Sequence, residues 1–336
     1  MGRRLLVDGY LFDLSAVVGG LQGRGATLLL EAPEGFLQYL PGIAELLEEE
    51  GFNTVARLDP AYGGCDVGCA YAARVGADAV VHVGHTRYPL LRTEGCRVFY
   101  VPGEYVEAHE RVEEYAEAVA SRLGGGGVVA IAYTAQHRML AEMMEGLLRG
   151  RGVRVAARRP ILGCYHYGLD LVEVDYYVVV AGGLFHALGL ALRLGSPDKV
   201  LPLDPYLSSP VGEERLRRIY SRVIARRLWI VSEASRGRRF AVIDGAKPGQ
   251  HRPGVVKRLV ELGRRRGVRV DVYVSDTLRR DYLLDLRPGE YDAYVVASCP
   301  RIPIEDYTGS EHPVVLTPGE FVMAMEGRLE RYIFPW

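Results

Sequence analysis

The stretch GVVAIAYTAQH at 127–137 is an apolar run that ends in polar residues, and it decides the fold class because its pattern recurs. ATLLLEAPEG at 26–35 and RFAVIDGAKPGQH at 239–251 have the same form. Each is followed by a helical pattern and a further apolar run. Strands that are covered on both faces need such near-continuous apolar runs. The sequence therefore predicts an α/β fold with parallel sheets.

The order of strand and helix restarts along the chain, which predicts three similar small α/β domains. We place them at 1–105, 106–210 and 211–336. A unit of this length lies outside the short solenoid repeats, so the units are interpreted as duplicated domains. In open α/β sheets, ligands gather at the carboxyl ends of the strands. We therefore expect the functional site at these ends.

The composition is that of an ordinary α/β protein, with 49% hydrophobic and 25% charged residues among 336. A net charge of −1 gives no global electrostatic argument for nucleic-acid binding. No apolar run is long enough to span a bilayer, and the first residues do not form a convincing signal peptide. The five irregularly spaced cysteines predict no disulfide framework, which is typical of a reducing cytoplasm.

Three cysteines stand where a predicted strand gives way to a turn: Cys65 in DPAYGGCD, Cys164 in RPILGCYH and Cys299 in VVASCPRI. They are too far apart for a local zinc site, which needs short Cys-x-x-Cys spacings. If the fold brings them together, three thiolates would bind a cluster and leave one metal position open. The alternative is three unrelated buried cysteines, because free cysteine is among the most buried residue types.

A Gly-Gly turn before Cys65 predicts that this residue begins a helix, where backbone N–H groups would lower the pKa of its thiol. Cys69 follows one turn later and is the alternative ligand. Position 72 is Ala, so the fuller Cys-x-x-x-Cys-x-x-Cys pattern of radical enzymes that use S-adenosylmethionine is absent. Cys96 opens a predicted strand and is interpreted as a core residue.

Two further strand ends carry glycine. Gly182 and Gly183 would let a ligand approach the backbone, and the alternative is a tight turn between strand and helix. The segment KPGQ at 247–250 contains Lys247, a rare lysine in this chain, and Gln250, which could hydrogen-bond a polar ligand.

Two histidines follow the first cysteine. His82 is predicted to lie within a strand and His85 to line a site, and a metal-binding pair is the weaker alternative. His186, in the first turn of a predicted helix, is interpreted as a packed imidazole.

Several stretches together resemble the archaeal radical enzymes of diphthamide biosynthesis. They are YGGCDVGCAYAARVGADAVVHVGHT, ILGC, GGLFHALG, KPGQ, DAYVVASCPRIPIEDY and VVLTPGE, which spread from about residue 25 to 320. The resemblance implies three α/β domains in a pseudo-threefold arrangement around a central [4Fe-4S] cluster. One cysteine from each domain would bind it, which corresponds to Cys65, Cys164 and Cys299. It also implies a cytoplasmic homodimer.

The resemblance implies that S-adenosylmethionine binds at the open iron and is cleaved to methylthioadenosine and a 3-amino-3-carboxypropyl radical. That radical would add to a histidine of translation elongation factor 2. Gly182, Gly183 and Gln250 are our candidates for S-adenosylmethionine binding, and no side chain is assigned as a general base. Two alternatives stay open: a dehydratase similar to quinolinate synthase, and a non-catalytic protein that carries a cluster or electrons.

Overall fold

The three predicted repeats each form a four-stranded parallel sheet. The computed structural model describes residues 3–21, 25–93, 95–207, 212–286, 289–307 and 313–335. In each of these three sheets the strands lie in the order second, first, third and fourth along the chain. This shared topology confirms the predicted α/β fold of repeated units.

The first unit opens with a hairpin that precedes its sheet. The hairpin strands are β1 (Arg4–Val7) and β2 (Tyr10–Asp13), followed by helix α1 (Ser15–Gly20). The sheet strands and their helices are β3 (Thr27–Glu31), α2 (Leu40–Glu49), β4 (Asn53–Ala56), α3 (Cys69–Val75), β5 (Ala79–Val83) and β6 (Val98–Val101). Strand β7 (Glu104–Tyr105) then pairs with β2 in antiparallel orientation.

The second and third units repeat the arrangement. The second contains α4 (His109–Arg122), β8 (Val128–Tyr133), α5 (Arg138–Gly150), β9 (Arg154–Pro160), β10 (Tyr176–Val180), α6 (Phe185–Leu194) and β11 (Val200–Leu203). The third contains α7 (Glu213–Ala234), β12 (Arg239–Gly245), α8 (Pro253–Arg265), β13 (Arg269–Ser275), α9 (Arg280–Asp285), β14 (Ala293–Val296), β15 (Val315–Leu316) and α10 (Pro318–Glu326). A π-helical turn, Ile302–Asp306, follows β14.

Both faces of the central strands are covered. Leu28, Leu29 and Leu30 are consecutive in β3, and all are buried although their side chains alternate between the two faces. Burial of one such side chain contributes about 1.5–3 kcal/mol. This two-sided cover explains why the strands appear in the sequence as unbroken apolar runs rather than as an alternation.

Glycines end two of the helices. Helix α3 ends at Gly76 with φ 70° and α6 ends at Gly195 with φ 69°. This left-handed conformation is favourable for glycine because it has no Cβ. The helices therefore turn back toward the sheets over a short distance. Among the described residues, no helix has the length and apolar character that crossing a bilayer requires.

The strand order places a switch point between the first and third strand of each sheet, where ligands bind in open α/β proteins. The proposed domain intervals 1–105, 106–210 and 211–336 each contain one complete sheet. Segments that follow strands of all three sheets line a single cavity. The repeated topology thus directs three sets of loops to one place.

Candidate functional site

A cavity of about 410 Å³ is lined by all three predicted cysteines. Cys65 comes from the segment after β4, Cys164 from the segment after β9 and Cys299 from the segment after β14. One cysteine is thus contributed by each repeated unit. The structure brings together residues that are far apart in sequence, as the sequence analysis expected.

The three cysteines do not occupy equivalent positions in their units. Cys65 and Cys164 follow the second strand of their sheets, whereas Cys299 follows the third strand. Thiols from two kinds of loop therefore reach one cavity. The three cysteines therefore do not recur at one position of the repeated unit, and a search for a repeated cysteine motif would not find all three.

The three thiols are free and mostly enclosed. Burial, together with a smaller effect of the neighbouring thiols, raises the pKa of Cys164 and of Cys299 to about 12. Burial also raises the pKa of the Cys65 thiol. The prediction that a helix start lowers the pKa of Cys65 is wrong, because α3 begins only at Cys69 and Cys65 lies in the preceding buried turn.

The donor set suits a polynuclear iron–sulfur cluster better than a single ion. Within the described ranges, no three His, Cys, Asp or Glu side chains converge as the ligands of one metal ion would. The thiols instead line a shared cavity, and the charge of Cys65 raises the pKa of both Cys164 and Cys299. A cluster spreads its ligands over several irons, and metal binding deprotonates coordinating thiols. The residues present therefore fit such a group.

The loop that carries Cys65 is held by the segment KPGQ of the third unit. The Gly249 amide donates a hydrogen bond to the Cys65 carbonyl at 2.8 Å. The Gln250 amide nitrogen lies 3.6 Å from the Cys65 sulfur. Gln250 is buried but does not line the cavity. In the structure this segment therefore contacts Cys65 itself, and the role of Gln250 in binding S-adenosylmethionine stays a prediction.

Aromatic side chains occupy the space beside Gly163 and Gly182, whereas the space beside Gly183 is open. A Cβ on Gly163 would collide with the Phe185 ring, and a Cβ on Gly182 would lie 2.6 Å from the Tyr206 ring. Each of these two glycines is therefore required by an aromatic ring that packs against its backbone. Gly183 donates its amide to Asp204 at 2.7 Å. Neither Gly182 nor Gly183 lines the cavity, and their ligand-binding role stays a prediction.

Four buried charged residues lie behind the Cys65 loop. Lys247 is 2.7 Å from Asp66, and Arg57 is 3.1 Å from Glu31 and 3.7 Å from Asp66. Both Glu31 carboxylate oxygens also accept the Gly68 amide at 3.0 Å. Two cations thus balance two anions away from water, an arrangement that is strongly destabilised when one partner is removed.

The two predicted histidines are connected to this group. His82 Nδ1 lies 2.7 Å from Glu31 Oε1, and His82 Nε2 lies 3.0 Å from His85 Nδ1. His82 is buried within β5, and His85 lines the cavity, as the sequence predicted. The alternative of a metal-binding pair is not favoured, because the facing nitrogens of the two rings bond to each other.

A second chain of hydrogen bonds connects two tyrosines, a histidine and a threonine beside the cavity. Tyr10 donates to Tyr206 at 2.9 Å, Tyr206 lies 3.1 Å from His137 Nε2, and His137 Nδ1 lies 2.6 Å from the Thr134 hydroxyl. Burial lowers the pKa of His137 to about 3. Burial also lowers the pKa of His186, which lines the cavity, to about 4. These imidazoles are therefore neutral near pH 7.

Cys69 and Cys96 form a disulfide, which corrects the expectation that the chain contains none. Cys69 begins α3 and Cys96 precedes β6. The bond joins elements that the fold had already placed side by side, so the irregular spacing in sequence gave no sign of it. In this state Cys69 is not available as the alternative ligand, and Cys96 is not a free core residue.

Sequence reasoning missed Glu31, Asp66, Tyr10 and Tyr206. A detectable signal existed for Glu31, because it is a carboxylate at the end of the otherwise apolar run TLLLE. Asp66 directly follows the first cysteine, but its partner Lys247 is 181 residues away in the chain. The tyrosines come from β2 and from the segment after β11, and only the tertiary fold shows that they meet.

Comparison with known proteins agrees with this site. The sequence model of the diphthamide synthesis protein family matches residues 32–333, which is most of the chain. The chain belongs to this family. The match includes all three cavity cysteines and the segment KPGQ that holds the Cys65 loop. The matched residues thus extend into all three repeated units.

Relatives within the diphthamide family are similar over nearly their full length. The 2-(3-amino-3-carboxypropyl)histidine synthase of Pyrococcus horikoshii is 31% identical, over 95% of this chain and 92% of the relative. The synthase of Methanocaldococcus jannaschii is 22% identical over 92% and 87%. The crystal structure of Dph2 from Pyrococcus horikoshii with a 4Fe-4S cluster superposes with a TM-score of 0.80 at 28% identity, covering 96% of this chain and 92% of that one.

Proposed function

We propose that this protein is a 2-(3-amino-3-carboxypropyl)histidine synthase that catalyses the first step of diphthamide biosynthesis. It transfers the 3-amino-3-carboxypropyl group of S-adenosylmethionine to a histidine of translation elongation factor 2. The bond between sulfur and the γ-carbon breaks, methylthioadenosine leaves, and a carbon–carbon bond forms at the imidazole carbon between the two nitrogens, whose hydrogen is lost as a proton. The reaction class is a radical group transfer.

One observation carries the proposal: three free cysteines from three sheets line one cavity in a chain of the diphthamide family. We assign Cys65, Cys164 and Cys299 as the ligands of a [4Fe-4S] cluster. Such a cluster supplies one electron and an iron position without a protein ligand when it is bound. The structurally similar Dph2 of Pyrococcus horikoshii was crystallised with a 4Fe-4S cluster, which supports the assignment.

The protein itself supplies a shielded cavity. Its lining includes the aromatic side chains of Phe36, Tyr88, Tyr167 and Phe185 and, among the described residues, no carboxylate. Exclusion of water protects a reactive intermediate from side reactions, and a fixed pose decides which carbon reacts. The elongation factor must present its histidine from the open side of this cavity.

We further propose a cytoplasmic homodimer that acts on the elongation factor without a membrane or a nucleic-acid partner. The near-full-length similarity to single-chain archaeal synthases supports one kind of subunit. Light scattering should give about twice the 37.2 kDa mass of the chain. A monomer whose mass does not change with concentration would contradict the homodimer.

The decisive experiment is anaerobic reconstitution with iron and sulfide, followed by reduction with dithionite in the presence of S-adenosylmethionine. We expect about four irons per chain, as many as the proposed cluster contains. Methylthioadenosine should be the nucleoside product, with at most a trace of deoxyadenosine. Cys164→Ala is the matched control. Dominant deoxyadenosine would contradict the proposed cleavage. Absence of cleavage in a fully reconstituted sample would favour the dehydratase or carrier alternative.

A further inference from the structure

His85 lies at the end of a buried hydrogen-bonded chain that leads into the cavity. Glu31 Oε1 bonds to His82 Nδ1 at 2.7 Å, and His82 Nε2 bonds to His85 Nδ1 at 3.0 Å. Glu31 and His82 are completely buried, whereas His85 is half-buried at the cavity wall. The chain resembles the carboxylate–imidazole pairs in which a buried acid fixes the tautomer of a working histidine.

The partners of Glu31 determine which ring nitrogen of His82 and of His85 carries the hydrogen. Glu31 accepts hydrogen bonds from the Gly68 amide and from Arg57, so His82 Nδ1 carries the hydrogen in its bond to Glu31. The four buried charges behind it, Arg57 and Lys247 against Glu31 and Asp66, are already balanced. A neutral His82 keeps that balance. Its Nε2 is then an acceptor, and His85 Nδ1 donates to it.

It follows that His85 Nε2 has no hydrogen and offers a lone pair. Within the described part of the chain, this nitrogen has no hydrogen-bond partner. Burial lowers the pKa of His85 to about 3, with smaller contributions from His82 and His186, so the ring stays neutral near pH 7. A fixed neutral acceptor at a cavity wall suits a ligand that brings a hydrogen-bond donor.

The charges of the cavity lining indicate which donor this is. The described lining residues include no Asp or Glu, and their one permanently charged side chain is Arg301. A guanidinium can receive a carboxylate but repels an ammonium. S-adenosylmethionine carries both groups at its amino-acid end. The ammonium therefore needs a neutral acceptor, and a hydrogen bond from a charged donor is stronger than one between neutral groups.

We propose that His85 Nε2 accepts a hydrogen bond from the α-ammonium group of S-adenosylmethionine, and that Glu31 and His82 are positioning residues that fix the His85 tautomer. This inference rests on the proposed function. It assigns the amino-acid end of the ligand to the loop after β5, at the switch point of the first sheet, and not to the glycines after β10.

Binding of unreactive analogues tests the contact without any turnover. The probes are S-adenosylhomocysteine and its deamino analogue, which lacks the α-amino group, with anaerobic reconstituted protein and calorimetry. His85→Leu should weaken S-adenosylhomocysteine binding about tenfold or more. Its effect on the deamino analogue should be small. His85→Gln, whose amide oxygen can reach the Nε2 position, should retain more affinity than His85→Asn. The exposed His109→Gln is the matched control.

NMR spectroscopy tests the proposed positioning role of Glu31 and His82. With ¹⁵N-labelled histidine, the NMR spectrum of the wild-type protein should show His85 with a hydrogen on Nδ1 and none on Nε2. Glu31→Gln can donate to His82 Nδ1, which reverses the chain and puts the hydrogen on His85 Nε2. This variant should also lose affinity for S-adenosylhomocysteine while it retains binding of the deamino analogue.

The outcomes separate this inference from the proposed function. If wild-type protein binds S-adenosylhomocysteine and His85→Leu binds it equally well, the inference is wrong and the proposed function stands. Loss of transfer to the elongation factor with unchanged analogue binding would assign His85 to the protein substrate and overturn the proposal. A wild-type His85 with hydrogen on Nε2 would also overturn it. If wild-type protein binds neither S-adenosylhomocysteine nor S-adenosylmethionine, both the inference and the proposed function fail.

Discussion

The backbone of Gly249 lies directly against the backbone of Cys65. The Gly249 amide donates to the Cys65 carbonyl at 2.8 Å, and a Cβ built on Gly249 would lie 2.7 Å from the Cys65 Cα. A side chain cannot fit at that distance. Glycine is therefore required at this position by a contact between the first and third units. The position of a proposed cluster ligand thus depends on a segment of another sheet.

Gly249→Ala should displace the Cys65 loop and weaken cluster binding. We expect about 1–3 kcal/mol lower free energy of unfolding, as for other overpacked sites. Iron content after anaerobic reconstitution and thermal unfolding measure the two effects. Gly146→Ala in α5 is the matched control, because its Cβ would meet nothing within 4 Å. Equal iron content in Gly249→Ala and wild type would show that the contact does not position Cys65.

Replacement of the cysteines should separate ligands from structural residues. Cys65→Ala, Cys164→Ala and Cys299→Ala should each lose most of the iron and the visible thiolate-to-iron absorption after reconstitution. Cys69→Ala and Cys96→Ala should retain them, because these two residues form a disulfide outside the cavity. Loss of that disulfide should cost about 2–4 kcal/mol of stability. The assignment is wrong if Cys69→Ala loses the cluster and Cys65→Ala keeps it.

Buried His137 should make stability depend on pH. Burial lowers its pKa from 6.5 to about 3, so the unfolded chain binds a proton between these values and the folded chain does not. The free energy of unfolding therefore falls as pH drops through 6.5, by about 2 kcal/mol from this residue between pH 7 and 5. Denaturant unfolding at several pH values measures the slope. His137→Gln should flatten it, and exposed His109→Gln is the matched control. An unchanged slope in His137→Gln would contradict the prediction.

The fold could be predicted because its determinants are local. Runs such as TLLLE and VVAIAY need cover on both faces, and their recurrence at similar intervals predicts repeated sheets. The cysteines could be located because a turn after a strand is visible in sequence. Their convergence followed from a general property of α/β sheets and from the family resemblance, and not from the spacing of the three residues.

The remaining site depended on contacts that no local pattern encodes. In the sequence, Gly182 is a place where a ligand could approach the backbone, but in the structure the Tyr206 ring fills the space beside it. The side chain that occupies such a gap is set by the tertiary packing of distant segments. The same holds for the bond between Cys69 and Cys96. Glu31 was visible as a carboxylate in a buried strand, and its partners His82 and Arg57 were not.

Lys247 and Asp66 connect the third unit to the loop that carries Cys65. The last prediction concerns mutation of one or both members of this ion pair. The ion pair is 2.7 Å long, and both side chains are less than a tenth exposed. Lys247→Met leaves Asp66 with the 3.7 Å contact to Arg57 and the hydrogen bond from the Tyr62 amide, so a buried carboxylate loses its nearest cation. We expect about 2–4 kcal/mol lower free energy of unfolding and reduced iron after reconstitution. Lys257→Met, an exposed lysine on α8, is the matched control.

Adding Asp66→Asn to Lys247→Met removes the uncompensated charge and should recover part of the loss, because breaking a buried pair costs more than removing both members. If the double variant is less stable than Lys247→Met, the pair acts through geometry and not through charge balance.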